Sequence, residues 1–192
     1  TALTVAAITG AVWTPYDPLA LDMMHRLEPP SPAHWLGTDE FGRDVLSRLM
    51  SGATTSASVA VITVALAVVA GTGVGVLAGF VRGWLDRALM MANDALLAFP
   101  GILLALGLIV VIGAGRHGIV LALALAYTPA VVRVVRSTVL SIRETDFVEA
   151  SHVIGNSELY TMLRHVLPNC LAPLSVLATS MFGWVLLAAS AL

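Results

Sequence analysis

Residues 146–169 read D-F-V-E-A-S-H-V-I-G-N-S-E-L-Y-T-M-L-R-H-V-L-P-N, and they form the longest segment between apolar runs that reads as folded. Asp146, followed three residues later by Glu149, predicts the start of a helix with a capping-box arrangement. Gly155 predicts the end of that helix, since glycine adopts the left-handed conformation most easily. The stretch therefore predicts two short helices that meet at a glycine corner between two apolar spans.

Both predicted helices are amphipathic. Phe147, Ala150 and Ile154 share one face of the first helix. Asn156 or Ser157 is expected to begin the second helix, and Pro168 the apolar run that follows it. The second helix carries an apolar stripe made of Leu159, Met162, Leu163, Val166 and Leu167, with Glu158, Thr161 and Arg164 on the opposite face.

The composition indicates a membrane protein. The 192 residues are 58% hydrophobic and 11% charged, whereas a soluble domain carries about 25% charged residues. The net charge is −2, so nothing favours a nucleic-acid partner. The one cysteine, Cys170, excludes an internal disulfide and is expected to pack inside an apolar span.

The apolar runs predict five spans in whole or in part. Residues 1–13 resemble the second half of a span, since a full crossing needs about 20 residues. A short interfacial helix is expected from Gly42, a polar link at 82–87 and a kink at residues 99–101. The remaining predicted spans are 53–81, 95–113, 118–135, with Pro129 inside, and 168–192.

Three glycines recur at every fourth position of the 53–81 span. Gly71, Gly75 and Gly79 lie on one helix face, and small residues at this spacing allow a second helix to approach closely. Residues 73–78 also match the dinucleotide pattern G-x-G-x-x-A. We reject that reading because the pattern must follow a strand, and these residues lie within an uncharged span.

Two motifs carry a resemblance to a known family. Glu149-Ala150-Ser151, with Gly155 and Leu167-Pro168 at the right spacing, resembles the EAA loop of bacterial ABC-importer permeases. Ser151 stands where that pattern has a second alanine, and His165 where it often has isoleucine. Residues 36–48, L-G-T-D-E-F-G-R-D-V-L-S-R, are similar to the sequence ahead of the second span in the dipeptide, oligopeptide and nickel branch.

The resemblance implies an all-α polytopic bundle of the type I ABC-importer permease kind. It implies a partial first span with an extracytoplasmic or interfacial segment at 1–52, and the permease domain at 53–192. A sixth helix is expected beyond the C-terminal end. In this family the first loop helix docks on an ATPase, which assigns ATPase coupling to Asp146, Phe147, Val148, Glu149, Ala150, Ser151, Ile154 and Gly155.

The implied partners are a second, homologous permease, two ABC ATPase subunits, an extracytoplasmic solute-binding protein and membrane lipid. Six arginines lie on the side of loop 137–167 and four on the other. The positive-inside rule therefore predicts a cytoplasmic loop in a bacterial inner-membrane protein. The six are Arg82, Arg87, Arg133, Arg136, Arg143 and Arg164; the four are Arg26, Arg43, Arg48 and Arg116.

The sequence predicts no catalytic chemistry in this chain. All ten basic residues are arginine, and a phosphate-binding P-loop needs a lysine, so ATP and Mg²⁺ are expected to act in a partner ATPase. The five histidines have no metal-ligand spacing, so we predict no metal site. Asp94, at the edge of a span, is expected to pair with Arg87 or to reach the headgroup region.

The predicted function is transport of dipeptides or oligopeptides, coupled to the ATPase through residues 146–168. Import of nickel or another small solute by the same family remains the alternative. A membrane-embedded enzyme would need polar catalytic pairs within the spans, and a passive channel would leave the EAA-like loop unexplained. The substrate-binding residues are not evident from the sequence.

Overall fold

The structure, a computed structural model, describes residues 2–192, and within them all regular structure is helical. The chain divides into two compact units, residues 1–59 and 60–192. The helices in order are α1 (Ala2–Val12), α2 (Val45–Val81), α3 (Gly83–Leu97), α4 (Gly101–Ile112), α5 (Arg116–Arg143), α6 (Asp146–Val153), α7 (Glu158–Thr161), a π-helical turn (Met162–Val166) and α8 (Leu167–Ala191).

In the first unit, α1 packs against the first turns of α2. A Cβ atom on Gly10 would lie 2.5 Å from the carbonyl oxygen of Met50, so only glycine fits there. The Thr54 hydroxyl donates a hydrogen bond of 2.8 Å to the Ala7 carbonyl oxygen. Helix α1, eleven residues long, occupies the stretch 1–13 that was predicted to be the second half of a span, and its place in a membrane stays a prediction.

Helix α2 corrects the prediction of a separate interfacial helix from Gly42. It begins at Val45 and continues for 37 residues to Val81, a length of about 56 Å at 1.5 Å per residue. The proposed boundary between residues 52 and 53 therefore falls inside a helix. Nothing between them breaks it, because Ser, Gly, Ala and Thr at 51–55 tolerate helical geometry when flanked by apolar turns.

The second unit is built around α5, which has buried residues along most of its length, from Gly118 to Val139. The close approach of α2 to α5 depends on the three predicted glycines. Added Cβ atoms on Gly71, Gly75 and Gly79 would lie 2.5, 2.8 and 2.9 Å from atoms of α5. The glycine-face prediction is confirmed, and the α5 atoms concerned belong to Val131, Val132, Val135 and Val139.

Between α2 and α5 the chain turns at Arg82–Gly83 and bends again at Pro100. Arg82 and Gly83, with φ of 55° and 73°, turn α2 into α3, so the predicted polar link at 82–87 is wrong: helix resumes at Gly83. Arg82 combines this φ with ψ of −169°, a region that residues other than glycine rarely adopt and that costs about 1–3 kcal/mol. The Arg82 guanidinium lies 3.7 Å from the carboxylate of Glu144.

The predicted span at 95–113 is broken. The kink at Pro100 is confirmed, but it separates α3 from α4 at an angle of 95°. Helix α4 alone is about 18 Å long, shorter than the hydrocarbon core of about 30 Å. Three described helices are long and apolar enough to cross a membrane, and the bent pair α3–α4 makes a fourth if it counts as one span. The five predicted spans are therefore not all confirmed.

Two ion pairs fasten α3 to α5. Arg136 donates two hydrogen bonds, of 2.6 and 2.7 Å, to the carboxylate of Asp86. Arg133 donates one of 2.7 Å to Asp94. The predicted pairing of Asp94 with Arg87 is thus wrong. The chain bends by 95° after α3, and the α3 face that carries Asp86 and Asp94 lies against α5, so both carboxylates pair with arginines of α5 and not with an arginine of α3.

The glycine face gives a stability prediction with an internal control. Gly75→Ala is expected to destabilise the detergent-solubilised protein by about 1–3 kcal/mol, because its methyl group would overpack against Val132 and Val135. No described atom beyond its own helix backbone lies within 4 Å of a Cβ on Gly73. Gly73→Ala should leave the protein unchanged or stabilise it by up to about 1 kcal/mol.

The measurement is the midpoint of thermal unfolding for both variants in one detergent. Equal midpoints for Gly75→Ala and Gly73→Ala would contradict the close approach of α2 to α5.

Candidate functional site

The corner between α6 and α7 has the geometry that Gly155 predicted. Gly155 has φ of 85°, and its N–H donates to the His152 carbonyl oxygen at 3.0 Å. The Asn156 N–H donates to the Ser151 carbonyl oxygen at 3.1 Å. These two bonds form a Schellman motif, which satisfies carbonyl groups at the end of α6. Ser157 then caps α7 by accepting a hydrogen bond from the Tyr160 N–H.

The start of α6 differs from the prediction. Thr145, with φ of −91° and ψ of 148°, occupies the N-cap position, and Asp146 is the first helical residue. The structure gives Thr145 no capping side-chain bond, because its hydroxyl donates backwards to the Ile142 carbonyl oxygen at 2.5 Å. The capping-box prediction for Asp146 and Glu149 is wrong. Both carboxylates lie in the first turn of α6, where the positive end of the helix dipole stabilises their negative charge.

One side of α6 is buried against the chain itself. The Val148 side chain is 2% exposed and belongs to the apolar core of the second unit. Ser151 is 3% exposed, and its hydroxyl lies 2.9 Å from the hydroxyl of Thr161, which is fully buried. The Asn156 amide donates to the same Ser151 oxygen at 3.0 Å. Val148 and Ser151 are therefore anchors of the helix, which corrects their expected place on its outer surface.

The other side of α6 faces outward and is mostly apolar. Phe147 is 45% exposed and Ile154 76%, and Ala150 is also exposed. Val153, which the sequence reading did not include, is 80% exposed and lies opposite the buried pair. Its position follows from 100° per residue once Val148 and Ser151 are known to point inward. We call Phe147, Ala150, Val153 and Ile154 the outer face of α6.

The second loop helix is not an independent element. Helix α7, the π-helical turn and α8 form one continuous helical run, Glu158–Ala191. The prediction that Pro168 begins the next apolar run is confirmed, because Pro168 lies in the first turn of α8, where its missing N–H is tolerated. The expected faces also change: Thr161 is buried, while Leu159 and Leu163 are 60% and 53% exposed. Cys170 is fully buried in the core, as predicted.

Aromatic contacts join α6 to this helical run. The ring of His165 lies 6.3 Å from that of Phe147 and 6.1 Å from that of Tyr160, measured between centroids. These distances are within the range for favourable aromatic pairs. His165 thus supports one edge of the outer face at the position where the family pattern often has isoleucine.

The motif at residues 36–48 builds a second ordered region, in the first unit. Asp44 caps α2: its carboxylate accepts bonds of 2.8 and 2.7 Å from the N–H and hydroxyl of Ser47. The other Asp44 oxygen lies 3.0 Å from His34 Nδ1. Burial raises the pKa of Asp44, but the bonds from Ser47 and His34 outweigh burial and lower it. The Ser47 hydroxyl oxygen also accepts a bond from the Tyr16 N–H at 3.0 Å.

Glycines and Asp39 close this region into a compact loop. A Cβ on Gly42 would lie 1.6 Å from the Asp22 carbonyl oxygen, and one on Gly37 would lie 2.4 Å from that of Glu28. Asp39 accepts from the N–H groups of Arg43 and Phe41. Burial opposes ionisation, but these backbone bonds and the Arg43 guanidinium lower the Asp39 pKa to about 2. The motif therefore encodes a folded segment rather than an interfacial helix.

Comparison with known proteins gives a family for this arrangement. The family described as "Binding-protein-dependent transport system inner membrane component" matches residues 71–192, which include α6 and its corner. The chain belongs to this family of ABC-importer permeases. It is therefore an all-α, multi-pass protein of the inner membrane.

Curated relatives of this permease transport different solutes. It is 39% identical to a putative peptide transport system permease protein of Brucella suis, over 99% of this chain and 65% of the relative. It is 40% identical to the dipeptide permease DppC of Alkalihalophilus pseudofirmus, over 88% of this chain and 55% of the relative. It is 36% identical to the nickel permease NikC of Escherichia coli K12, over 96% and 67%.

The permease chain thus spans about 65% of the length of the first of these relatives. Among residues 2–192, no group of three or more His, Cys, Asp or Glu side chains is arranged to hold a metal ion.

The buried hydroxyl pair gives a prediction about the corner. Ser151→Ala removes the partner of the buried Thr161 hydroxyl and of the half-buried Asn156 amide, and the unpaired Thr161 hydroxyl is expected to cost about 1–3 kcal/mol. The Asn156 amide loses its partner in the single and the double variant alike, so it does not affect their comparison. The double variant Ser151→Ala with Thr161→Val removes both polar groups, and replacing both partners with apolar groups can be nearly neutral. Thermal unfolding should therefore show the single variant to be less stable than the double variant. A double variant less stable than Ser151→Ala would contradict this account.

Proposed function

We propose that this permease is the membrane subunit of an ATP-driven bacterial importer and that α6 docks on a separate ATPase. The observation that carries the proposal is the two-sided character of α6. Its inner residues are buried against other parts of the same chain, while Phe147, Val153 and Ile154 are 45–80% exposed. Contiguous exposed apolar groups of this kind mark contact sites for another protein or a membrane.

A protein surface suits the outer face better than lipid does. The outer face is flanked by the carboxylates of Asp146 and Glu149 in the first turn of α6. Ionised carboxylates are unfavourable in hydrocarbon. The positive-inside rule also favours a cytoplasmic position for the loop that contains α6. We assign the binding of ATP and Mg²⁺ to the ATPase partner. We assign to the arginines near the membrane a role in setting the orientation of the chain across it.

We propose further partners on the strength of the family. The chain pairs with a second, homologous permease, two ATPase subunits bind on the cytoplasmic side, and a solute-binding protein delivers the solute on the opposite side. Closure of the ATPase pair on ATP moves α6, and the attached helices change the side on which the pathway is open. This chain supplies pathway walls and a mechanical link.

The proposed solute is a dipeptide or an oligopeptide, since a putative peptide permease and a dipeptide permease are 39% and 40% identical to this chain. Nickel is the second candidate, because the nickel permease NikC is 36% identical. Uptake of a radiolabelled dipeptide and of radioactive nickel, measured with the cognate binding protein in proteoliposomes, separates the two. Transport of neither solute would contradict both.

Docking predicts that enlarging Ala150 releases the ATPase. In Ala150→Trp the bulky ring prevents close approach of the outer face, and loss of a central packed contact costs about 2 kcal/mol or more. We expect about tenfold less ATPase to co-purify with the permease from membranes. Glu158→Trp, exposed on α7 and outside the outer face, is the matched control. Parental ATPase stoichiometry with intact uptake in Ala150→Trp would refute docking through α6.

The corner at Gly155 predicts a coupling defect without a docking defect. Gly155→Val places a β-branched residue at φ of 85°, which it resists, although nothing described within 4 Å obstructs the added atoms. We expect ATP hydrolysis to continue with less solute imported per ATP. Gly155→Asn is the control, because asparagine tolerates the left-handed region. Equal import per ATP in both variants would show that the corner's conformation is unimportant for coupling.

A further inference from the structure

Residues in the last turns of α5 contact the end of α2, next to the junction between α2 and α3. Val139 contacts Gly79, where an added Cβ would lie 2.9 Å from the valine side chain. Four residues later, the Arg143 guanidinium donates through Nη1 to the carbonyl oxygen of Phe80. The same guanidinium lies 5.1 Å from the centroid of the Phe80 ring. Arg143 therefore holds both the backbone and the side chain of one α2 residue.

The Phe80 carbonyl is a chemically suitable target for an arginine. Phe80 is the penultimate residue of α2, and the last four carbonyl groups of a helix have no partner within the helix. A cation at this end also interacts favourably with the helix dipole. The planar guanidinium can donate to the carbonyl and stack on the ring at once, which an ammonium group cannot do equally well.

The junction held by Arg143 is where the chain changes direction. Arg82 and Gly83 both have positive φ, and the Arg82 guanidinium lies 3.7 Å from the carboxylate of Glu144, next to Arg143. Asp86, in the first turn of α3, is bound by Arg136 through two hydrogen bonds. Both sides of the junction are thus tied to the end of α5.

The same end of α5 leads directly into α6. Helix α5 ends at Arg143, Thr145 is the N-cap of α6, and Asp146 is its first residue. Only Glu144 and Thr145 therefore separate α6 from Arg143, so a displacement of α6 reaches Arg143 directly along the chain. Because Arg143 is bonded to α2, the displacement is passed to a second membrane helix and to the start of α3.

We propose that Arg143 is the positioning residue that transmits movement of α6 to the α2–α3 junction. This inference rests on the proposed function, since it assumes that an ATPase moves α6. Arg143 touches neither solute nor nucleotide and acts through Phe80. Without it, α6 remains attached to α5 and to Thr161, but the hydrogen bond and the ring contact that join the end of α5 to Phe80 are lost.

The test uses the whole complex in proteoliposomes, with solute imported per ATP hydrolysed as the readout. Arg143→Ala is expected to bind the ATPase at parental stoichiometry, because the outer face of α6 is unchanged. Its import per ATP should fall about tenfold, within the usual range for a coupling free energy between sites. Arg143→Lys keeps one donor and the charge and should give an intermediate ratio. Arg164→Ala, which removes an exposed arginine from the π-helical turn, is the control and should keep the parental ratio.

A second variant tests the path itself. Phe80→Ala removes the ring under the guanidinium but keeps the carbonyl acceptor, so its import per ATP should fall less than that of Arg143→Ala. The double variant should be no worse than Arg143→Ala, since the ring acts only through Arg143. Additive losses in the double variant would overturn the proposal. So would an unchanged ratio in Arg143→Ala, or an equal fall in Arg164→Ala.

A purely structural role has a different signature. If Arg143 had only a structural role, both Arg143→Ala and Arg143→Lys would lower the amount of assembled complex. The complex that remained would import as much solute per ATP as the parent does. That result would overturn the proposal. If the parental complex shows no ATP-dependent import, the proposed function fails. If the parent imports and Arg143→Ala imports equally well per ATP, only this inference fails.

Discussion

The structure of the second unit depends on the close approach of α2 to α5. In lipid the hydrophobic effect does not draw two apolar helices together, so their association depends on packing and on how near the backbones come. Gly71, Gly75 and Gly79 let three turns of α2 lie directly on the valines of α5. Helices α3, α4 and α8 also contact α5. Helix α5 is thus the common partner that fixes the position of α6 at its end.

Arginines at the end of α5 have two physical roles there. By their number they favour a cytoplasmic location for this end, and by their contacts they hold other helices. Arg133 and Arg136 bind carboxylates on α3, whereas Arg143 binds a carbonyl and a ring on α2. Arginine suits these positions because one planar group bonds several acceptors and does not lose its charge.

Features that depend on neighbouring residues were predictable from the sequence. The left-handed corner at Gly155, the kink at Pro100 and the glycine face of α2 each follow from local backbone preferences or helical periodicity. The resemblance to permeases also depended on local motifs. The residues around Asp39 and Asp44 were recognised by pattern, but their roles in closing a loop were not.

Features that depend on distant contacts were not predictable in the same way. Asp94 has a nearby arginine in its own helix, yet its partner is 39 residues away because the bend at Pro100 reorients α3. Thr161 reads as a polar surface residue, and only the position of Ser151 across the corner gives it a buried partner. Periodicity could not tell the inner from the outer side of α6 because apolar residues occupy both.

The mixture of inner and outer residues explains how so short a helix can present a surface. Eight residues are too few for a stable isolated helix in water, where about 12–15 are marginal. Helix α6 therefore depends on Val148, on the Ser151–Thr161 pair and on the bonds at Gly155 for its shape. With these in place, the outer face is already formed in the chain alone, so the docking that we propose would not also have to order the chain. The inner residues of α6, which a partner would not contact, thus influence the affinity of the partner because they hold the outer face in shape.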